Sequence, residues 1–149
     1  MAPVHSFEVH AIWRREDGGM PPGNHRLEIQ GKPTIAASAA SQYKGDPTRA
    51  NPEELFVASL ASCQMLSYFV VAARSGVTVL AYEDRARGTL TIADKKMRFT
   101  EVVLRPRITV APGTDEAKAR ALVETAHEGC FIANSVACAV RAEPEIVVG

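Results

Sequence analysis

Two cysteines in this sequence, Cys63 and Cys130, are of a type and setting that could perform redox chemistry. Cys63 lies in a long apolar stretch that opens with Asn51 and Pro52, and Cys130 follows Gly129 at the end of a second helical pattern. Two such thiols could store and release a disulfide bond. The alternative is that both are packing residues, because free cysteine is among the most frequently buried residue types.

The surroundings of the two cysteines differ. No Lys, Arg or His lies within one helical turn of Cys63, so a group that activates this thiol has to come from a distant segment or from another chain. Gly129 is expected to break the second helix. Cys130 then lies near the start of a new helical turn, where backbone N–H groups favour a thiolate. His127 is either a further support for that charge or a packing residue.

Glu53 is a candidate partner of Cys63, but the two cannot meet within one helix. Their spacing in sequence corresponds to ~15 Å along a helix axis. A shared site therefore requires the two residues to come from different subunits, or an intermediary such as an arginine between them. Without either, Glu53 is a solvated carboxylate in the first turn of a helix.

The sequence has no pattern typical of a metal or cofactor site. Cys63, His127 and Cys130 could supply ligands, but no C-x-x-C or H-x-x-x-H pair accompanies them. The sequence also has no glycine-rich phosphate loop and no G-x-S-x-G motif. We therefore expect neither a cofactor nor a metal.

The composition describes one ordinary globular domain over residues 1–149, with 46% hydrophobic residues. Because 17 basic residues balance 17 acidic ones, charge gives no reason to expect nucleic acid or an anionic membrane as a partner.

No signal peptide is visible at the amino terminus. Polar residues interrupt the apolar stretch from Leu55 to Ala73, which indicates a core helix and not a membrane span. We expect a cytoplasmic protein, with Cys138 as an inert buried thiol.

The periodicity of the sequence predicts an α+β domain in which two main helices pack on an antiparallel sheet. The first helix runs from Asn51 to about Arg74, since Asn51 is a favoured N-cap, Glu54 completes a capping box and Gly76 follows the end. The second helix begins at Thr114 or Asp115. Strands are predicted over residues 6–14, 25–30, 33–37, 77–92, 99–110 and 140–148, with a loop over residues 16–24.

Taken together, these segments resemble the OsmC/Ohr family of thiol-dependent peroxidases (osmotically inducible protein C and organic hydroperoxide resistance proteins). The resemblance extends from the hairpin that contains Trp13 to the last strand. It is most specific at two motifs, Asn51-Pro52-Glu53-Glu54-Leu55 with Cys63 beyond it, and Ala126-His127-x-x-Cys130. The more detailed resemblance is to the OsmC-like branch and runs through residues 99–106 and 130–135.

The resemblance implies an OsmC-like fold and an intertwined homodimer with two active sites at the subunit interface. It implies that Cys63 attacks an organic hydroperoxide, with hydrogen peroxide as a further option, and becomes a sulfenic acid. Cys130 then resolves this acid into a disulfide, which an external dithiol reduces. Glu53 corresponds to the glutamate that holds an arginine in the family, and that arginine activates the attacking thiol.

Three positions depart from the family pattern. An arginine of this role lies near the start of the second hairpin strand in the family, and Arg14, Arg15 and Arg26 all compete for it here; we select Arg26. Phe131 stands where many members have proline, and Gln64 stands where an aromatic residue is common. These differences leave the thiol chemistry possible, and Gln64 makes the expected pocket more polar.

Two other functions remain open at this point. The protein could bind a small apolar ligand without catalysis, with both thiols merely buried. It could also use the same disulfide to signal the redox state of the cell.

Overall fold

A computed structural model of the protein describes residues 1–17 and 23–149. The chain divides into two compact units, Met1–Leu55 and Phe56–Gly149. The boundary falls inside the first long helix, shortly after its amino-terminal turn.

The amino-terminal unit contains a small antiparallel sheet of three strands. Its strands are β1 (His10–Ile12), β2 (His25–Glu28) and β3 (Ile35–Ala37), with β2 in the centre. The hairpin and the third strand are therefore confirmed, although β1 is shorter than predicted. The loop predicted over residues 16–24 lies partly outside the described residues.

Helix α1 (Pro52–Arg74) begins and ends as its local sequence predicts. The Asn51 side chain accepts a hydrogen bond from the Glu54 N–H at 2.9 Å, and the Glu54 carboxylate accepts one from the Asn51 N–H at 3.2 Å. This reciprocal pair is a capping box. At the other end, Gly76 has a φ of 71°, and the Val77 N–H donates to the Ala72 carbonyl at 2.9 Å. Glycine reaches this left-handed conformation without a Cβ penalty, so it ends the helix.

The carboxyl-terminal unit contains two sheets of three strands, ordered β4-β7-β9 and β5-β6-β8. Antiparallel pairs join β4 to β7 and β5 to β6, whereas β6–β8 and β7–β9 are parallel. The sheets are therefore mixed and not purely antiparallel, and the predicted α+β class with two main helices is confirmed. The strands are β4 (Val79–Asp84), β5 (Arg87–Ala93), β6 (Lys96–Leu104), β7 (Pro106–Val110), β8 (Ala139–Ala142) and β9 (Glu145–Val148).

Each of the last three predicted strands is interrupted and contributes to both of these sheets. The interruptions fall at residues 85–86, at Arg105 and at residues 143–144. Proline begins β7 at Pro106 and precedes β9 at Pro144, and a proline has no N–H to continue a ladder. The Asp84 carboxylate accepts a hydrogen bond from the Arg105 N–H at 2.7 Å. Local hydrogen bonds of this kind replace the ladder where the chain leaves one sheet for the other.

Helix α2 (Glu116–Glu128) is capped by Asp115, whose carboxylate accepts from the Ala117 N–H at 2.9 Å. This contact decides between the two predicted caps. The helix ends at Gly129, where the break was predicted. A short 3₁₀ helix over Ala133–Ser135 follows.

The length and composition of α1 are also those of a membrane-spanning helix, with a mean hydropathy of 1.8 over 18 residues, the one such helix in the described part of the chain. Its fully buried positions are Leu60, Gln64, Tyr68 and Ala72. Gln64 and Tyr68 direct polar groups at α2. We interpret α1 as a core helix, because its Gln64 amide nitrogen and Tyr68 hydroxyl donate hydrogen bonds to another helix of the protein.

Candidate active site

The structure brings Cys63 and Cys130 together within the carboxyl-terminal unit. Cys63 lies on α1 and is half-buried, whereas Cys130 lies just beyond α2 and is 1% exposed. The Cys63 thiol is close enough to raise the pKa of the Cys130 thiol. Both are free, as is Cys138. The third thiol is partly buried and packs against the core cluster around Leu60, Val102 and Leu104.

The chain reversal after α2 determines the environment of Cys130. The Cys130 N–H donates to the His127 carbonyl at 3.1 Å, and the Asn134 N–H donates to the Cys130 carbonyl at 3.0 Å. Burial raises the pKa of the Cys130 thiol, and the neighbouring Cys63 raises it further, against the N–H groups of Ala133 and Ile132, which favour the thiolate. Desolvation is the largest of these effects, so Cys130 is a protonated thiol at neutral pH.

Two residues of β4, neither of them a predicted site residue, are linked to this site: Tyr82 interacts electrostatically with Cys130, and Asp84 with Tyr82. Tyr82 and Asp84 are two positions apart, so their side chains share one face of the strand. The Tyr82 ring lies 6.0 Å from that of Tyr68 and 5.8 Å from that of Phe69, both on α1. Burial raises the pKa of Tyr82, and the charges of Asp84, Tyr68 and Cys130 raise it further. Tyr82 is therefore a neutral phenol close to the second thiol.

The Tyr82 hydroxyl and one Asp84 oxygen are buried and have no hydrogen-bond partner among the described residues. Two unsatisfied polar groups on one strand face are unusual in a protein interior. A tyrosine and an aspartate at alternate positions of the strand were the signal available in the sequence. The burial of the strand face that carries these two residues could not be read from the sequence.

Asp84 makes the stability of the protein dependent on pH. Burial raises the pKa of its carboxyl above the ordinary value of 3.8, against the Arg105 N–H, which lowers it. The folded protein thus holds this proton more tightly than the unfolded chain does. The stabilising contribution is complete below that ordinary value and is lost as the pH rises through the raised folded pKa. Asp84→Asn removes the charge and keeps an oxygen for the Arg105 N–H.

We therefore expect Asp84→Asn to gain stability relative to the wild type as the pH rises from about 4 to about 8. Urea unfolding of both proteins across that range measures the difference. Glu83→Gln, on the opposite and exposed face of β4, is the matched control and should show no such trend. A variant that is less stable than the wild type at the upper end of this range contradicts the prediction.

The other predicted site residues belong to the amino-terminal unit. Arg26 lies on β2, and its Nε donates to the Glu28 carboxylate at 3.1 Å. Arg15 opens a short 3₁₀ helix, and Arg14 precedes it. Glu53 lies in the first turn of α1, and its Oε2 is buried without a hydrogen-bond partner among the described residues. A buried carboxylate oxygen of this kind is suited to a cationic partner.

No group of three or more His, Cys, Asp or Glu side chains in residues 1–17 and 23–149 is arranged to hold a metal ion. His127 lies in the last turn of α2, and its Nδ1 is buried without a hydrogen-bond partner in the same described ranges. The chemistry that this site offers is that of its two adjacent thiols.

A family model described as OsmC-like protein matches residues 45–145, which include both thiols, Glu53 and both helices. The chain belongs to the OsmC-like family. The resemblance inferred from the two cysteine motifs is thereby confirmed. Arg26 lies outside the matched range, so its assignment stays a prediction.

Solved structures of OsmC-like proteins share this fold. An OsmC-like protein of unknown function from Vibrio cholerae is 32% identical, with a TM-score of 0.87 over 95% of this chain and 100% of its own. Organic hydroperoxide resistance proteins from Elizabethkingia anophelis and Legionella pneumophila are each 20% identical. Their TM-scores are 0.74 over 100% of both chains and 0.71 over 98% of this chain and 99% of the other. Among curated proteins, no sequence matches this chain significantly.

Proposed function

We propose that this OsmC-like protein is a thiol-dependent peroxidase that reduces organic hydroperoxides to alcohols. The interaction of the Cys63 and Cys130 thiols is the observation that carries the proposal. Two free thiols that are near enough to influence each other can join in an internal disulfide once one of them is oxidised. The substrate class follows from the names of the organic hydroperoxide resistance proteins that share the fold.

In the first step, the thiolate of Cys63 attacks one oxygen of the hydroperoxide. A sulfur–oxygen bond forms, the oxygen–oxygen bond breaks, and the alcohol leaves with a proton, so Cys63 is oxidised to a sulfenic acid. The difference in exposure supports this assignment, because a substrate can reach the half-buried Cys63 more easily than the buried Cys130. Arg26, held by Glu53, is proposed to activate the thiol and to polarise the peroxide.

In the second step, Cys130 loses its proton and attacks the sulfur of the Cys63 sulfenic acid. A disulfide forms, the sulfur–oxygen bond breaks, and the hydroxide takes up a proton to leave as water. Burial keeps Cys130 protonated at neutral pH, so its proximity to Cys63 has to compensate for a small thiolate fraction. An external dithiol then reduces the disulfide. A reducing cytoplasm would supply that dithiol and would keep the resting thiols free.

A homodimer is part of the proposal. Leu66, Phe69 and Val70 on α1 are 60%, 38% and 49% exposed. Contiguous apolar surface on a helix is typical of a face covered by another subunit. Covering this face with a second copy would bury it, as the family resemblance implies.

One observation favours a second candidate function, the binding of a small apolar ligand. The carboxyl-terminal half of α1 and the edge of β4 enclose a groove of about 340 Å³, lined by residues such as Phe69, Val77, Leu80 and Tyr82. Ligand pockets are commonly of this size and apolar character. In this alternative the two thiols take no part in chemistry.

Peptide mass mapping after treatment with one equivalent of an organic hydroperoxide separates the two candidates. The peroxidase predicts that peptides containing Cys63 and Cys130 become joined by a disulfide while Cys138 stays a free thiol. An untreated sample and a sample treated with the corresponding alcohol are the controls. Recovery of all three cysteines as unmodified thiols would reject the peroxidase and favour the ligand-binding function.

A further inference from the structure

Two buried polar side chains on α1 bind the backbone of α2 in a regular pattern. The Gln64 Nε2 donates to the Val123 carbonyl at 3.0 Å, and the Tyr68 hydroxyl donates to the Ala119 carbonyl at 2.9 Å. Gln64 and Tyr68 are both fully buried. The chemistry proposed above gives neither residue a role.

The spacing of these two hydrogen bonds fixes the alignment of the two helices. Gln64 and Tyr68 are four residues apart on α1, and their acceptors, Val123 and Ala119, are four residues apart on α2 in the reverse order. Four residues correspond to ~6 Å along a helix, so the two bonds are consecutive rungs between antiparallel helices. A shift of α1 along α2 would break both bonds at once.

This alignment positions the two thiols. Cys63 is adjacent to Gln64 in sequence, and Cys130 follows the end of α2 beyond the Val123 rung. A disulfide requires Cα atoms within about 4.4–6.8 Å, and a slip by one rung would move the helices by a comparable distance. Apolar packing alone is non-directional and would tolerate such a slip better.

Backbone carbonyls are suitable acceptors for this purpose. A helix carbonyl has a second lone pair besides the one used within the helix. The rungs therefore do not depend on the side chains of α2. The polar residue at position 64 was expected to make the pocket more polar, whereas its amide nitrogen is directed at α2.

We propose that Gln64 and Tyr68 are positioning residues that hold α1 and α2 in the one register in which Cys63 and Cys130 can form a disulfide. The inference rests on the disulfide of the proposed function, and its test needs no hydroperoxide. When the protein reacts with oxidised glutathione, the disulfide of glutathione breaks as the Cys63–Cys130 disulfide forms. The two protons that leave the cysteines are taken up by the two glutathione thiolates, which become two molecules of reduced glutathione, so the exchange is balanced.

The test measures the equilibrium constant of this exchange in the full-length protein carrying Cys138→Ser, by titration with mixtures of oxidised and reduced glutathione. Tyr68→Phe deletes one oxygen, and Gln64→Met removes the amide while keeping a similar volume. Each is expected to lower the constant roughly three- to tenfold, the change expected from the loss of one hydrogen bond. Circular dichroism confirms that each variant is folded.

Two control variants separate positioning from general destabilisation. Val102→Ala removes volume from a buried site in the other core cluster and should lower the melting temperature without changing the glutathione constant. Tyr43→Phe, in the amino-terminal unit, should change neither quantity. Wild-type constants in both Gln64→Met and Tyr68→Phe, or an equal drop in Val102→Ala, would overturn the inference.

The failure of the proposed function gives a different result. If the wild-type protein forms the Cys63–Cys130 disulfide with glutathione but does not consume hydroperoxide, the proposed peroxidase function is rejected. The positioning role of Gln64 and Tyr68 is then still tested by the same titration. A wild-type protein that forms no such disulfide at any glutathione ratio overturns the positioning role directly.

Discussion

Replacement of Cys63 by serine is expected to reduce the rate of hydroperoxide consumption at least about a thousandfold, because loss of a nucleophile removes most of the catalytic rate enhancement. A serine hydroxyl has nearly the same size as the thiol but is not oxidised by a peroxide. The variant should remain folded, since Cys63 is only half-buried. Consumption of cumene hydroperoxide in the presence of a dithiol measures the effect.

Two further cysteine variants sharpen this test. Cys138→Ser is the matched control and should retain wild-type activity, because Cys138 packs in a core cluster and has no part in the proposed chemistry. Cys130→Ser should still form the sulfenic acid and consume one equivalent of hydroperoxide, then stop unless a thiol is added, since no partner resolves the acid. Trapping of the sulfenic acid with dimedone identifies that state. Full activity in Cys63→Ser would contradict the assignment of the attacking thiol.

Replacement of Arg26 by methionine is expected to lower the same activity by about a hundredfold, the loss typical when one electrostatic donor at a reacting centre is removed. Methionine preserves the length of the side chain and removes the guanidinium. The expected loss is in the rate of sulfenic acid formation, because the arginine is proposed to act on the first step. Stopped-flow measurement of that step, with the protein in excess, isolates it from resolution and reduction.

The hairpin itself supplies the controls for this prediction. Arg14→Met and Arg15→Met make the same chemical change in the same unit and should leave the rate within about threefold of the wild type, as substitutions outside a site usually do. Glu53→Gln removes the charge proposed to hold the arginine and should lower the same step. A large loss in Arg14→Met or Arg15→Met, with Arg26→Met unaffected, would transfer the role to that residue.

The elements with short-range signals were predictable from the sequence. Asn51 and Glu54 form the capping box, Gly76 follows the end of α1, and Gly129 ends α2. Each of these features depends on residues within one turn of each other, so composition and spacing identify them. The same is true of the cysteine motifs that indicated the family.

The sheet arrangement depended on long-range pairing. A strand predicted over residues 99–110 is one apolar pattern, yet β6 and β7 pair with different neighbours on either side of Arg105. Local periodicity reports which face of a strand is buried and not which strand lies beside it. For the same reason the parallel pairs β6–β8 and β7–β9 could not be read from the sequence.

By itself, the sequence determined the α+β class, the limits of both helices and the two cysteines with the family to which they belong. The tertiary structure alone decided that Cys63 and Cys130 interact, that Tyr82 lies close enough to interact with Cys130, and that Gln64 binds α2. The physical reason is the range of the interactions. Caps and periodicity act within a few residues, whereas the contact of two thiols depends on how separate elements pack, which no local pattern encodes.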